Sequence, residues 1–184
     1  MSDPISSLQR DLQREFDHDA RGARVAHILS SYAAEHADWR RFALFDPEFY
    51  TRNLIGRTEH YEMLLLCWNV GQKSPIHNHA GQNCWMAVME GEIQETLYTP
   101  QPGGAPGPLQ AGSSRLYVPG RVAFINDDIA LHRVQPAEGT RGISLHLYSK
   151  PIDVCNVYDE ATGRVVESRL VYHSIEGTIA ARSK

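Results

Sequence analysis

From residue 61 to residue 172 the chain is written in short runs of branched and aromatic residues, and that punctuation constrains its fold more than any other feature. The runs are Tyr61 to Trp68, Asn83 to Met89, Ile93 to Tyr98, Arg121 to Ile125, Leu131 to Val134, Ile143 to Tyr148, Val154 to Tyr158 and Arg164 to Tyr172. Gly, Pro, Asn and Asp separate most of them, which predicts strands joined by turns. So many short strands in succession predict an all-β barrel or sandwich of the jelly-roll kind. The stretch Thr99 to Gly112, TPQPGGAPGPLQAG, is too rich in Gly and Pro for an element interior and is expected to be a surface loop. It is not a domain linker, because cutting a barrel there would leave two sets of open edges. Upstream, Leu8, Leu12 and Phe16, then Val25, Ile28, Leu29 and Tyr32, recur at helical spacing between Ser6 and about Ala37. Two or three short amphipathic helices packed on one face of the sheet follow from that. The expected fold class is mainly β: a barrel over 47–184 with a helical N-terminal portion over 1–46. With 184 residues, 42% of them hydrophobic, the whole of 1–184 fits one domain with an ordinary core and one active site.

Charge narrows the partners. A net charge of −4 and a pI near 6.1 leave no basic surface of the kind that holds nucleic acid or an anionic membrane. The N-terminus, MSDPISSLQRDLQREF, lacks the apolar core of a secretory signal, and no stretch approaches the length of a membrane span. A cytoplasmic protein acting on small molecules is the expectation. Cys67, Cys84 and Cys155 are widely spaced and form no CxxC pair, so reduced thiols are expected rather than a disulfide framework or a thiolate zinc site.

Histidine carries the strongest chemical signal. In GQKSPIHNHAGQNCWMAVMEGE, Gly71 to Glu92, one residue separates His77 from His79. On an extended strand residues i and i+2 face the same side, so both imidazoles could meet one metal ion inside a barrel. The segment resembles the first cupin motif, with Gly71, His77, His79 and Gly91 on its places and Cys84 where a glutamate ligand would stand. Losing that glutamate opens a coordination position. A second histidine-bearing segment, INDDIALHRV, puts His132 on an expected strand after a turn-forming Asn-Asp-Asp. Three neutral imidazoles suit Fe(II), Zn(II), Ni(II) or Cu(II), so the ligand set alone does not choose the metal. His18, His27, His36 and His60 lie in the helical or loop half and are expected to be solvated or capping.

These motifs occur with several others in order: YTRNL at Tyr50 to Leu54, Cys67-Trp68, HNHAGQNC ending at Cys84, EGEIQETLY, NDDIALHRV and SLHLYSKPIDVC from Ser144 to Cys155. Together they resemble the cysteine dioxygenase family from about Tyr50 to Tyr172. The resemblance implies His77, His79 and His132 as ligands of Fe(II), with Arg52 and Tyr50 at the substrate carboxylate. It implies a thioether crosslink between Cys84 and Tyr148 beside the iron, and places Ser144 and His146 as polar supports of the tyrosine hydroxyl. Tyr148, Cys84 and His146 would then serve catalysis and Ser144 substrate binding. Ser144, His146 and Tyr148 are spaced by two and would line one face of a strand. His146 is expected to orient the Tyr148 hydroxyl by a hydrogen bond. Cys67 and Cys155 have no partner motif and are read as structural. The implied reaction converts cysteine and dioxygen to cysteine sulfinic acid, in a monomeric enzyme.

The chain departs from the family pattern at Ser149-Lys150-Pro151, where the family commonly has Ser-Pro-Pro with a cis bond before the first proline. Here the bond is either trans or a cis peptide without proline's help, which costs roughly 3 kcal/mol or more. Trp85 stands where a phenylalanine is more familiar. Rival assignments are the same chemistry on 3-mercaptopropionate or mercaptosuccinate, a non-catalytic metal- or thiol-binding cupin, and a zinc or nickel cupin isomerase or hydrolase. Arg52 and Cys84 point to cysteine among the thiols, because mercapto-acid enzymes of this kind often carry glutamine and glycine at those places.

Overall fold

The computed structural model describes residues 3–105 and 107–181. Helix α1 (Pro4–His18) starts with a proline in its first turn, where a missing N–H costs nothing. It buries the stripe Ile5, Leu8, Leu12 and Phe16, and α2 (Val25–Glu35) buries Val25, Leu29 and Tyr32. A short 3-10 helix, Asp38–Phe42, adds Trp39 and Phe42 to the same apolar layer.

Strands follow as β1 (Thr51–Arg57), β2 (Glu62–Trp68), β3 (Ile76–His77), β4 (Cys84–Glu90), β5 (Ile93–Thr99), β6 (Gln110–Tyr117) and β7 (Val122–Ile125). The chain continues through β8 (Leu131–Pro136), β9 (Gly142–Tyr148), β10 (Val154–Tyr158), β11 (Val165–Arg169), β12 (Ser174–Ile175) and β13 (Thr178–Ile179). They form a seven-stranded sheet in the order β13-β12-β1-β2-β9-β4-β7 and a six-stranded sheet in the order β11-β10-β3-β8-β5-β6. All pairings are antiparallel except β1 with β12. This is the expected jelly-roll arrangement with helices against one sheet.

The central strands explain why several runs look apolar throughout. Every residue of β2 and β9 is buried. Along β2, Met63, Leu65 and Cys67 face the helices, while Leu64, Leu66 and Trp68 face the other sheet. On β9, Ile143, Leu145 and Leu147 join the helical layer and leave Ser144, His146 and Tyr148 on the barrel's inner face, as period-two alternation requires. A sheet covered on both faces selects hydrophobic residues at consecutive positions, so the polar residues it retains on the inside stand out.

The structure differs from expectation at the edges. Strand β1 was hidden in the sequence because TRNL breaks the apolar pattern, yet Thr51 and Asn53 are buried and β1 pairs along β2. The expected loop over Thr99 to Gly112 contains a 3-10 turn at Pro102–Gly104 and yields its last residues to β6, which is exposed over most of its length. The Ser149–Lys150 peptide is trans. Cys67, Cys84 and Cys155 are free and buried. Among the described residues no helix is long and apolar enough to cross a membrane.

Gly91 closes the turn between β4 and β5 at φ +71°, where a Cβ would collide with the Arg141 carbonyl oxygen; Gly71 has φ +79° and open space around it. Gly71→Ala should therefore cost only the left-handed backbone penalty, about 1–2 kcal/mol. Gly91→Ala should cost more, about 3 kcal/mol or above, because backbone must also move. Equilibrium denaturant unfolding of the two variants checks the order.

Candidate active site

The register of β3 against β8 sets His77 opposite His132. His79 lies beyond the end of β3, so the expected single extended strand holds only the first of the pair. The chain turns at Ala80, φ +51°, and Gly81, φ +78°. Asp127 fastens this turn by accepting hydrogen bonds from the His79 N–H at 2.6 Å and the Gly81 N–H at 2.7 Å. The three imidazoles thereby converge although only two of them sit on strands.

His132 Nε2 lies 3.1 Å from His79 Nε2 and 3.2 Å from His77 Nε2. Metal–nitrogen bonds of about 2.0–2.1 Å would hold ligand nitrogens about 2.9–3.4 Å apart for octahedral to tetrahedral angles. The tautomers make the case stronger. His77 Nδ1 is 3.0 Å from the Pro75 carbonyl oxygen, an acceptor that can only be met by an N–H. His132 Nδ1 is 2.8 Å from the Glu95 carboxylate. Both rings therefore turn a bare Nε2 lone pair toward the other, which makes no hydrogen bond but suits a shared cation. Burial keeps two of the rings neutral, with His77 pushed down to about 3 and His132 also lowered. His77, His79 and His132 could thus hold one metal ion.

Beside them lies a cavity of about 60 Å³ lined by Arg52, Tyr50, His77, His79, Tyr148 and Cys155 among others. Since one water needs roughly 10–15 Å³ of such space, the cavity admits a molecule of a handful of non-hydrogen atoms. Arg52 reaches it from β1 with its side chain 11% exposed, and its Nε and Nη2 have no hydrogen-bond partner. Unmatched guanidinium donors in a closed cavity call for a planar anion. Tyr50 is fixed at the same cavity by stacking on Trp68, ring centroids 4.5 Å apart.

Cys84 and Tyr148 are direct cross-strand partners in the β4–β9 ladder, and both are buried in the barrel's inner core cluster. Burial pushes both the thiol and the phenol upward, so each stays protonated at neutral pH. Ser144 and His146 share the inner face with Tyr148, but the expected hydrogen bond from His146 to the Tyr148 hydroxyl is not formed. His146 Nε2 instead lies 2.9 Å from Ser144 Oγ, which also accepts from Trp68 Nε1 at 2.9 Å, and His146 Nδ1 is unpartnered. The rings of His146 and Tyr148 stand 6.4 Å apart.

Comparison with known proteins agrees with this arrangement. The family described as cysteine dioxygenase type I matches residues 2–161. The chain belongs to that family. Human cysteine dioxygenase type 1 is 34% identical over 173 residues, covering 92% of this chain and 86% of the relative. The Rattus norvegicus protein of that name is 35% identical over 152 residues, 82% of this chain and 76% of its own. The Danio rerio protein is 33% identical over 177 residues, 94% and 88% respectively. A solved structure of an uncharacterised Klebsiella pneumoniae protein with a double-stranded β-helix domain has a TM-score of 0.50 at 10% identity, covering 74% of this chain and 98% of that one, and supports the fold alone. Membership in the cysteine dioxygenase type I family makes the chain a thiol dioxygenase, and with the three-histidine group it makes a metal cofactor part of the enzyme.

Two supporting carboxylates escaped the sequence analysis. Glu95 falls in the quoted EGEIQETLY run, and counting by two from buried Ile93 turns it inward, a signal that was available. Asp127 had no such signal, because its role depends on a turn packing against residues 48 positions away. Glu95→Gln should weaken divalent-metal affinity about 10–100-fold by removing the charge that holds the His132 ring. Metal titration of the stripped variant and native protein, with circular dichroism to verify folding, measures this.

Proposed function

We propose that this thiol dioxygenase uses Fe(II), held by His77, His79 and His132, to convert L-cysteine and dioxygen to cysteine sulfinic acid. The observation that carries the proposal is the pair of unpartnered Arg52 donors in the same small cavity as His77 and His79. L-cysteine presents a thiol, an amine and a carboxylate within a few bonds, which matches one metal face and one guanidinium across a cavity of this size. Fe(II) there would favour the thiolate form of the substrate and supply the electrons that activate dioxygen.

The chain's own residues do the rest by positioning. Arg52 receives the carboxylate in a two-pronged fit that lysine cannot reproduce. Tyr50, braced on Trp68, closes the carboxylate end of the cavity. His77 and His132 stay neutral because burial disfavours their charged forms, which would leave the cation's charge to attract an anionic thiolate. Tyr148 lines the cavity, and Ser144 and His146, bonded to each other at 2.9 Å, share its face of β9. The stoichiometry balances: thiol plus one dioxygen molecule gives the sulfinic acid, with the thiol hydrogen retained on the product. Cys84 Sγ and a Tyr148 ring carbon are the candidates for a thioether bond. Forming it breaks one S–H and one C–H bond and passes two electrons and two protons to dioxygen. The same reading takes 1–184 as one domain acting as a monomer. Three reduced, buried cysteines fit the cytoplasm.

The test is oxygen uptake by the Fe(II)-loaded protein with L-cysteine, 3-mercaptopropionate and mercaptosuccinate in parallel. L-cysteine should give the highest kcat/KM, and Arg52→Lys should lower that value by about 10–100-fold, the worth of about 1.5–3 kcal/mol for a hydrogen-bonded charge pair. A faster reaction with either mercapto acid overturns the substrate. No uptake with any thiol overturns the enzymatic reading in favour of a non-catalytic cupin.

A further inference from the structure

Glu62 opens β2 with its carboxylate completely buried, among residues to which the dioxygenase reading assigns no role. Its cross-strand partners are Arg57 on β1 and Tyr148 on β9. Burying a carboxylate costs several kcal/mol unless its charge and lone pairs are answered, and here they are answered unequally. Oε1 accepts a hydrogen bond from the Tyr172 hydroxyl and lies 3.5 Å from Arg57 Nη1. Arg57 Nη1 in turn donates to Asp153 at 2.8 Å and to the Tyr172 hydroxyl at 2.6 Å. Oε2 accepts from the Ile152 N–H at 3.4 Å and lies 3.8 Å from Arg52 Nη2. Oε2 is therefore charge-paired with Arg52 without forming a hydrogen bond to it.

That distinction has a functional consequence. A carboxylate bonded directly to Arg52 would use up the donors that a substrate needs, and the substrate would have to displace it. One held 3.8 Å away attracts the guanidinium strongly in a buried setting while leaving Nε and Nη2 unmatched. Glu62 is itself prevented from closing on Arg52 by Tyr172, Arg57 and the Ile152 N–H, which pull on it from other sides. The Ile152 bond also ties it to the segment that lines the cavity after Ser149-Lys150-Pro151.

We propose that Glu62 is a positioning residue for the substrate carboxylate, holding Arg52 in place by charge while leaving its donors free. The inference rests on the reading of Arg52 as the carboxylate receptor. The test measures anaerobic binding of L-cysteine and of cysteamine, its carboxylate-free analogue, to the Fe(II) protein by calorimetry. Glu62→Gln keeps the shape and an acceptor for Tyr172 but removes the charge. It should weaken L-cysteine about tenfold, equivalent to about 1.4 kcal/mol, and cysteamine by less than about twofold. Glu62→Asp, which retains the charge, should recover most of the L-cysteine affinity, and Glu62→Leu, likewise without charge, replaces the glutamine variant if that does not accumulate. Equal weakening of both ligands, or no change in either, overturns the proposal. Its failure is distinguishable from failure of the dioxygenase reading: native protein without oxygen uptake overturns that reading. Native turnover combined with an unaltered preference in the variants overturns only the role of Glu62.

Discussion

His132 Nε2 facing His79 Nε2 at 3.1 Å and His77 Nε2 at 3.2 Å, with bare lone pairs on the His77 and His132 nitrogens, is the constraint around which the inner face of this barrel is arranged. Such a contact is unfavourable for neutral rings, and burial disfavours the charged forms of His77 and His132 that would relieve it. The fold tolerates it because Pro75, Glu95 and Asp127 fasten the histidines from outside. Those anchors come from a loop, a strand and a turn far apart in sequence, so the closed barrel is what assembles the site. The helices contribute indirectly, covering the outer face of the seven-stranded sheet so that its inner face can be spent on chemistry.

Charge is handled differently at the two ends of the cavity. At the histidines the protein supplies no carboxylate ligand, since Cys84 occupies that place in the motif, and burial keeps the His77 and His132 rings neutral. At Arg52 the protein supplies a charge, with Glu62 3.8 Å from Nη2, but leaves Nε and Nη2 without a hydrogen-bond partner. A small thiol carboxylate can answer both ends at once, which neither water nor a simple carboxylate does.

How legible this was depended on whether a residue's partners lie along its own strand. Runs such as Glu62 to Trp68 and Gly142 to Tyr148 could be located because they are buried on both faces and carry little polar interruption. Strand β1 could not, since its inward position is Arg52 and its outward ones are Thr51 and Asn53. The His77, His79 and His132 group was readable from spacing and motif, yet the route of His79 beyond its strand was not, because it depends on Asp127. Alternation placed Ser144, His146 and Tyr148 together correctly but could not decide which would bond. Trp68 Nε1 fixes Ser144, and Ser144 takes the His146 nitrogen that the Tyr148 hydroxyl was expected to meet. A charged residue at a strand's first position, such as Glu62, reads as an exposed end until cross-strand neighbours reveal its burial.

The most direct measurement of the central claim is the mass of the product formed from L-cysteine by the Fe(II) protein under dioxygen labelled in both atoms with heavy oxygen. A sulfinic acid in which both added oxygen atoms are labelled is expected. Cystine accompanied by hydrogen peroxide, or a product whose second oxygen comes from water, would contradict it.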